Sequence, residues 1–147
     1  MKTIKVNWSQ YHKLVHKLAL EIKKNCKCEL CSGTGKYQHS GILKYKAIYS
    51  PENPMLAFLL SQELGIKLLD SLILYLYTDG RETKQSEVLI VSDIINTGKT
   101  REQYKDFDFA CLYRRLIYSK DFLLASAVIS IKELDNNVQV VMPWEIK

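Results

Sequence analysis

The sequence contains no apolar run approaching the ~20 residues that a membrane-spanning helix needs, so no membrane partner is expected. The opening Met1–Lys5 carries no apolar core of a signal peptide, so export is not expected either and a cytoplasmic location is. Internal repeats and low-complexity tracts are absent, which excludes solenoids and long disordered tails. Clustered lysines are absent too. The net charge of +5 is spread along the chain, which suits anionic small molecules and makes a nucleic-acid footprint unlikely. Four cysteines without a secretion signal imply reduced thiols or a metal site rather than a disulfide framework. What is present is ordinary for a soluble domain: 47% hydrophobic and 25% charged residues in 147 positions, enough for one core and one domain over 1–147.

One stretch organises the rest: Val88-Leu89-Ile90-Val91-Ser92-Asp93-Ile94-Ile95-Asn96-Thr97-Gly98-Lys99-Thr100. Its consecutive apolar residues predict a strand buried on both faces, as in a parallel sheet. A polar turn and a possible helix start at Thr100 follow. A strand that opens through a loop onto a helix presents free backbone N–H groups to an anion. Gly98 lets the backbone approach closely, Thr97 and Thr100 add hydroxyls, and Lys99 adds charge. Asp93 is placed to accept hydrogen bonds from a diol or to hold a metal. A P-loop is excluded, because Asp93 stands where that motif has its first glycine and the loop is too short.

Elsewhere the elements alternate. Trp8–Lys24 predicts an amphipathic helix with Ser9 as N-cap and Tyr11, Leu14, Val15, Leu18, Ala19 and Ile22 on one face. His12 and His16 lie one turn apart on it, and their expected place is a partly exposed flank. Tyr45–Ser50 reads as a strand, Pro51–Pro54 as a turn, and the next residues to about Leu64 as a helix capped by Gly65. Phe107–Tyr113 and Val138–Met142 read as further strands, with an alternating segment from Phe122 to Ile131. Cys111 falls in a strand and is expected in the core. This alternation predicts an α/β fold, a parallel twisted sheet flanked by helices, with ligands at the carboxyl ends of the strands. The residues 25–44 are a small cysteine-containing insertion. Cys28 to Gly35 spells C-x-x-C-x-G-x-G, a zinc-knuckle half-site whose two thiolates, Cys28 and Cys31, could be completed around Zn²⁺ by Cys26 and His39 or by a second chain, the alternative being a reduced, unliganded hairpin.

The central stretch resembles the PRPP-binding motif of type I phosphoribosyltransferases: an apolar strand, two acids, two apolar residues, then x-Thr-Gly-x-Thr. Asp93, Thr97, Gly98 and Thr100 match it, and Lys99 is common there. The segment Ala57–Ile66 is similar to the helix after that family's pyrophosphate loop, and Pro143-Trp144-Glu145 resembles the terminus of its xanthine-guanine members. The resemblance spans nearly the whole chain and implies the purine branch. It implies transfer of ribose 5-phosphate from PRPP to a purine-type base, with Mg²⁺ as cofactor, PRPP and a purine base or nucleoside monophosphate as partners, and a homodimer. It places Ser92, Asp93, Asn96, Thr97, Gly98, Lys99 and Thr100 around the ribose and 5-phosphate. Asp93 and Asn96 take the catalytic positions, with Asp93 also near Mg²⁺. Glu52 and Asn53 form the pyrophosphate loop, and Arg115 (or Arg114) and Trp144 lie near the base. Residues 78–84 stand where a lid would close.

The chain departs from that pattern in three places. Glu52 and Asn53 lie between two prolines where the pyrophosphate loop has small or basic residues and glycines. A carboxylate there repels pyrophosphate, and proline has no N–H to offer it. Ser92 replaces the first acid of the pair. Asn96 stands where many purine enzymes have an aspartate base, and an amide takes no proton at neutral pH. Three functions follow: the transferase; a protein of the same fold that keeps the 5-phosphate site and binds a nucleotide as a sensor or interaction module; and, ranked last because nothing basic and aromatic is interleaved there, an interaction or nucleic-acid-binding protein built around the knuckle at Cys26–His39.

Overall fold

The computed structural model describes residues 1–24, 44–72, 87–115 and 128–146. The proposed knuckle residues Cys26, Cys28, Cys31 and His39, the lid at 78–84 and the first part of the alternating segment lie outside them. In chain order the elements are β1 (Lys2–Lys5), α1 (Trp8–Lys24), β2 (Ala47–Tyr49), α2 (Pro54–Leu64), β3 (Lys67–Leu68), β4 (Val88–Ile95), α3 (Lys99–Gln103), β5 (Asp108–Arg115), β6 (Val128–Leu134) and β7 (Val138–Val141), with a 3₁₀ turn at Pro143–Glu145.

β4 lies in the middle of a five-stranded sheet of order β3-β2-β4-β5-β6, and every pairing in it is parallel. The apolar run predicts this, because a parallel strand is covered on both faces and cannot alternate with polar residues. Successive side chains of β4 go to opposite faces. Leu89 and Val91 join Leu14, Leu18, Leu56 and Leu60 in the core beneath α1 and α2. Val88 and Ile90 join Phe107, Phe109 and Cys111 on the other side. Cys111 is fully buried, and burial pushes its thiol up to about 12, so it is a packing residue.

The helix ends are set by local chemistry. Asn7, not Ser9, caps α1. Its Oδ1 accepts from the Gln10 backbone N–H at 2.9 Å, and Gln10 Oε1 accepts from the Asn7 N–H at 2.9 Å. This reciprocal box starts the helix two residues earlier than a Ser9 cap would allow, because Trp8 and Ser9 are already helical. α2 starts with Pro54 at its first position and Asn53 as cap, and ends at Gly65 with φ 65°. α3 is a single short turn of five residues, beginning at Lys99, one position before the helix start expected at Thr100.

A second difference concerns the amino terminus. β1 pairs in parallel with β7 in a separate two-stranded sheet, from Lys2 opposite Val138 to Lys5 opposite Val141. Only Ile4 of β1 is even partly buried, so no periodic apolar signal marks the strand. Its partner is supplied by residues 136 positions away (Lys2 against Val138), which only the folded chain brings near.

Loss of the α1 cap isolates the contribution of the box. Asn7→Ala should lower stability by about 1 kcal/mol, read as a shift of the urea midpoint with unchanged slope.

Candidate functional site

The carboxyl end of β4 opens into a cleft of about 140 Å³. Glu52, Ser92, Ile94, Ile95, Asn96, Thr97, Gly98, Thr100, Arg101 and Phe109 line it. Gly98 adopts φ 76°, the left-handed region in which a side chain is strained, and so turns the loop into α3. The Lys99 N–H approaches Thr97 Oγ1 at 3.4 Å. With so short a helix behind it, the helix dipole contributes little. The groups this loop can offer to an anion are its own N–H groups and the hydroxyls of Thr97 and Thr100.

The strand's alternation separates Ser92 from Asp93. Asp93 follows Leu89 and Val91 toward the helices, is 9% exposed and is not among the cleft residues. Both of its oxygens are taken. Oδ1 accepts from the Tyr11 hydroxyl of α1 at 2.7 Å, and Oδ2 accepts from Asn53 Nδ2 at 3.1 Å. Burial pushes its carboxyl above the ordinary range, the two donors pull it back, and the charges of Glu52 and Glu145 push it up again. The Tyr11 phenol is raised as well, by burial first and then by Asp93. Tyr11 was legible only as a core residue on the buried face of α1. A buried phenol needs a hydrogen-bond partner, and that requirement alone could have pointed to Asp93.

Ser92 goes the other way and meets Glu52. The Ser92 hydroxyl donates to Glu52 Oε2 at 3.1 Å and to the Ile94 carbonyl at 3.2 Å. The Thr100 hydroxyl donates to Glu52 Oε1 at 2.5 Å. Glu52 therefore bridges strand and loop, and its carboxylate is the one that faces the cleft. Asn53 does double duty, because its Oδ1 also accepts the Met55 N–H at 3.1 Å as the cap of α2. The Pro51–Pro54 turn is thus tied to consecutive residues of β4. Glu52 holds Ser92 on one face and Asn53 holds Asp93 on the other.

The remaining predicted residues surround this centre. Arg115 Nε donates to Asn96 Oδ1 at 2.5 Å, and its Nη1 donates to the carbonyls of Asp135, Asn136 and Val138 at 3.0, 3.3 and 2.9 Å. It braces the loop against the β6–β7 turn. Arg114 pairs with Glu133 of β6. Trp144 is 40% exposed and meets Tyr11 edge to face at 5.2 Å, and Trp8 lies 6.1 Å from both rings, so the three aromatics form one cluster. Arg101, not singled out in the sequence, is buried in the cleft wall with its guanidinium 5.9 Å from the Phe109 ring centroid. His12 and His16 are exposed, and His16 Nδ1 lies 3.0 Å from Glu63 Oε2 of α2. Among the described residues no three His, Cys, Asp or Glu side chains gather closely enough to hold a metal by themselves. No described helix is long and apolar enough to cross a membrane.

No protein-family model matches the chain, and no curated protein does. Solved structures do. A Pyrococcus horikoshii purine phosphoribosyltransferase matches with TM-score 0.58 and 20% identity over 100% of this chain and 96% of that one. The Helicobacter pylori xanthine-guanine-hypoxanthine phosphoribosyltransferase matches with TM-score 0.59 and 13% identity over 98% and 94%. A Neisseria gonorrhoeae hypothetical protein with bound ppGpp matches with TM-score 0.61 and 15% identity over 98% and 89%.

The Tyr11–Asp93 contact sets a pH-dependent prediction. Tyr11→Phe removes a donor that stabilises the charged carboxylate, so it should destabilise by about 1.5–3 kcal/mol near neutrality. The carboxyl's folded value is raised, so the charged form is the one that resists folding. The loss should therefore shrink as pH falls through that value and the proton satisfies the site. Urea melts of both proteins at neutral and mildly acidic pH read the difference.

Proposed function

From the type I phosphoribosyltransferase fold that the chain shares with purine-branch enzymes, we propose that its cleft handles a ribose 5-phosphate and that its reaction is phosphoribosyl transfer from PRPP to a purine-type base. The observation that carries this reading is the position of the Asn96–Thr100 loop. It lines a cleft at the carboxyl edge of the central strand, with a left-handed glycine at its turn and hydroxyls on either side. Thr97, Gly98, Lys99 and Thr100 hold the 5-phosphate. A ring nitrogen of the base forms a bond to C1 of the ribose as the C1–O bond to pyrophosphate breaks. The bonding pair leaves with pyrophosphate, and the nitrogen's proton passes to solvent. Asn96 can donate a hydrogen bond to the base but cannot remove its proton. The protein contributes positioning and charge stabilisation.

Mg²⁺ belongs to this proposal as a counter-ion to pyrophosphate. Asp93 has both oxygens engaged and does not line the cleft, so Glu52 is the carboxylate that would approach the ion, with the ligand's own oxygens completing its shell. Trp144 packs against Tyr11 and is not among the residues that line the cleft, so its part in this reading is to flank a base that extends beyond the phosphate loop toward α1. Arg115 would act through Asn96, which it already holds. Assembly as a homodimer is part of the same reading.

A second reading has its own support. The turn that should cradle pyrophosphate is tied by Glu52 and Asn53 to β4, with prolines on both sides. A protein built this way could bind a nucleotide without turnover, and the Neisseria gonorrhoeae hypothetical protein of similar fold, which has ppGpp bound, supports this reading.

Pyrophosphate release separates the two. With Mg²⁺, PRPP and each purine base in turn, the transferase releases pyrophosphate with at least one base, and Thr97→Ala lowers kcat/KM by about tenfold, the worth of one hydrogen bond to a charged oxygen. No release with any base, together with calorimetric binding of a nucleoside 5-monophosphate, makes the protein the binding module.

A further inference from the structure

The cleft already contains an anion. Glu52 occupies the hydroxyls of Ser92 and Thr100, at 3.1 and 2.5 Å, and Thr100 is one of the groups the loop would offer to a phosphate. These hydroxyls have one proton each to donate. A phosphate seated in the loop and a carboxylate on the same donors repel at close range. The carboxylate does not come from the loop itself. It is carried by the turn after β2, which β4 brings beside it.

We infer that Glu52 is an internal competitor for the phosphate-binding loop, a built-in carboxylate that an incoming phosphate must displace from Thr100 and Ser92. The neighbouring ties show that the displacement can be local. Asn53 remains fixed by Asp93 and by the α2 cap, so only the Glu52 side chain has to leave. Glu52 itself is exposed, and its side chain can swing into solvent. The Thr100 hydroxyl is then free to turn toward the phosphate. The consequence is selectivity. A ligand with a single weak negative charge gains little over the resident carboxylate, whereas a phosphate dianion with loop N–H contacts and the Lys99 charge outcompetes it. The inference rests on the reading of this loop as a phosphate cradle, and it specifies how access to that cradle is controlled.

The test is calorimetric titration with inorganic phosphate, and separately with guanosine 5-monophosphate, in the presence of a chelator and without Mg²⁺. Glu52→Gln keeps the shape and the accepting oxygen while removing the charge, and Glu52→Lys reverses it. Glu52→Gln is expected to bind inorganic phosphate about tenfold more tightly than the natural protein, and Glu52→Lys more tightly still, with melting temperatures showing both folded. Equal or weaker phosphate binding by folded Glu52→Gln, including no binding by any of the three proteins, overturns the inference. That result leaves the phosphoribosyl reading standing if the natural protein releases pyrophosphate from PRPP. The converse is also distinct. Tighter phosphate binding by the variants, with guanosine 5-monophosphate bound no better than phosphate, supports the internal competitor and removes the nucleotide reading.

Discussion

Asp93 is buried in the middle of the molecule with one oxygen on Tyr11 of α1 and the other on Asn53 at the start of α2. Three elements meet at that carboxylate, and the rest of the site depends on it. An uncompensated charge in such a place would be costly, and the two donors are what make it tolerable. The same two bonds orient α1 against the sheet and fix the turn after β2. The turn in turn delivers Glu52 to the cleft. Trp144 packs edge-on against Tyr11, so the carboxyl terminus is tied into the same arrangement.

The departures from the phosphoribosyltransferase pattern look unrelated along the chain, yet they are neighbours in space. Ser92 stands where an acid is expected, and Glu52 stands where none is. In the folded protein the first donates to the second. A carboxylate has in effect moved from the strand to the adjacent turn, and the serine has become its partner. Asn53 is likewise matched to Asp93. Considered singly, each change subtracts a group from the site. Considered together, they keep one carboxylate facing the cleft and lock the turn that carries it. What they alter is the character of the turn, which now holds β4 and presents a negative charge where the fold's transferases would meet pyrophosphate.

Electrostatics at the cleft follow from this layout. The negative charges of Glu52 and Asp93 lie on opposite faces of one strand end, and Glu52 helps raise the Asp93 carboxyl. Arg101 supplies a buried positive charge in the cleft wall, lowered by burial and held up by Asp108 and Asp106. Lys99 is exposed on the loop. The cleft therefore presents donors and positive charge from the loop side and a carboxylate from the turn side, and the two meet where the Thr100 hydroxyl donates to Glu52.

Much of the fold was legible because it rests on local or strongly periodic signals. The Val88–Val91 run announces a strand covered on both faces, Gly65 marks where α2 stops, and the apolar stripe of α1 names its buried face residue by residue. The turn from Asn96 to Thr100 at the end of the central strand was legible for the same reason, since its chemistry is contained in a few consecutive residues. Other features depend on pairs distant in the chain. β1 has too few apolar residues to show itself until β7 lies beside it. Asp93 looked free until Tyr11, 82 residues earlier, was found on one of its oxygens. Arg115 looked available for a ligand until the carbonyls of the β6–β7 turn were found around it. The sequence by itself determined the central strand, its loop and the residue types that can grip a phosphate, because each acts within a few positions of itself. Only the tertiary structure decided which carboxylate faces the cleft, because strand alternation sends Asp93 toward the helices and hydrogen bonds from the turn after β2 bring Glu52 to the place beside Ser92.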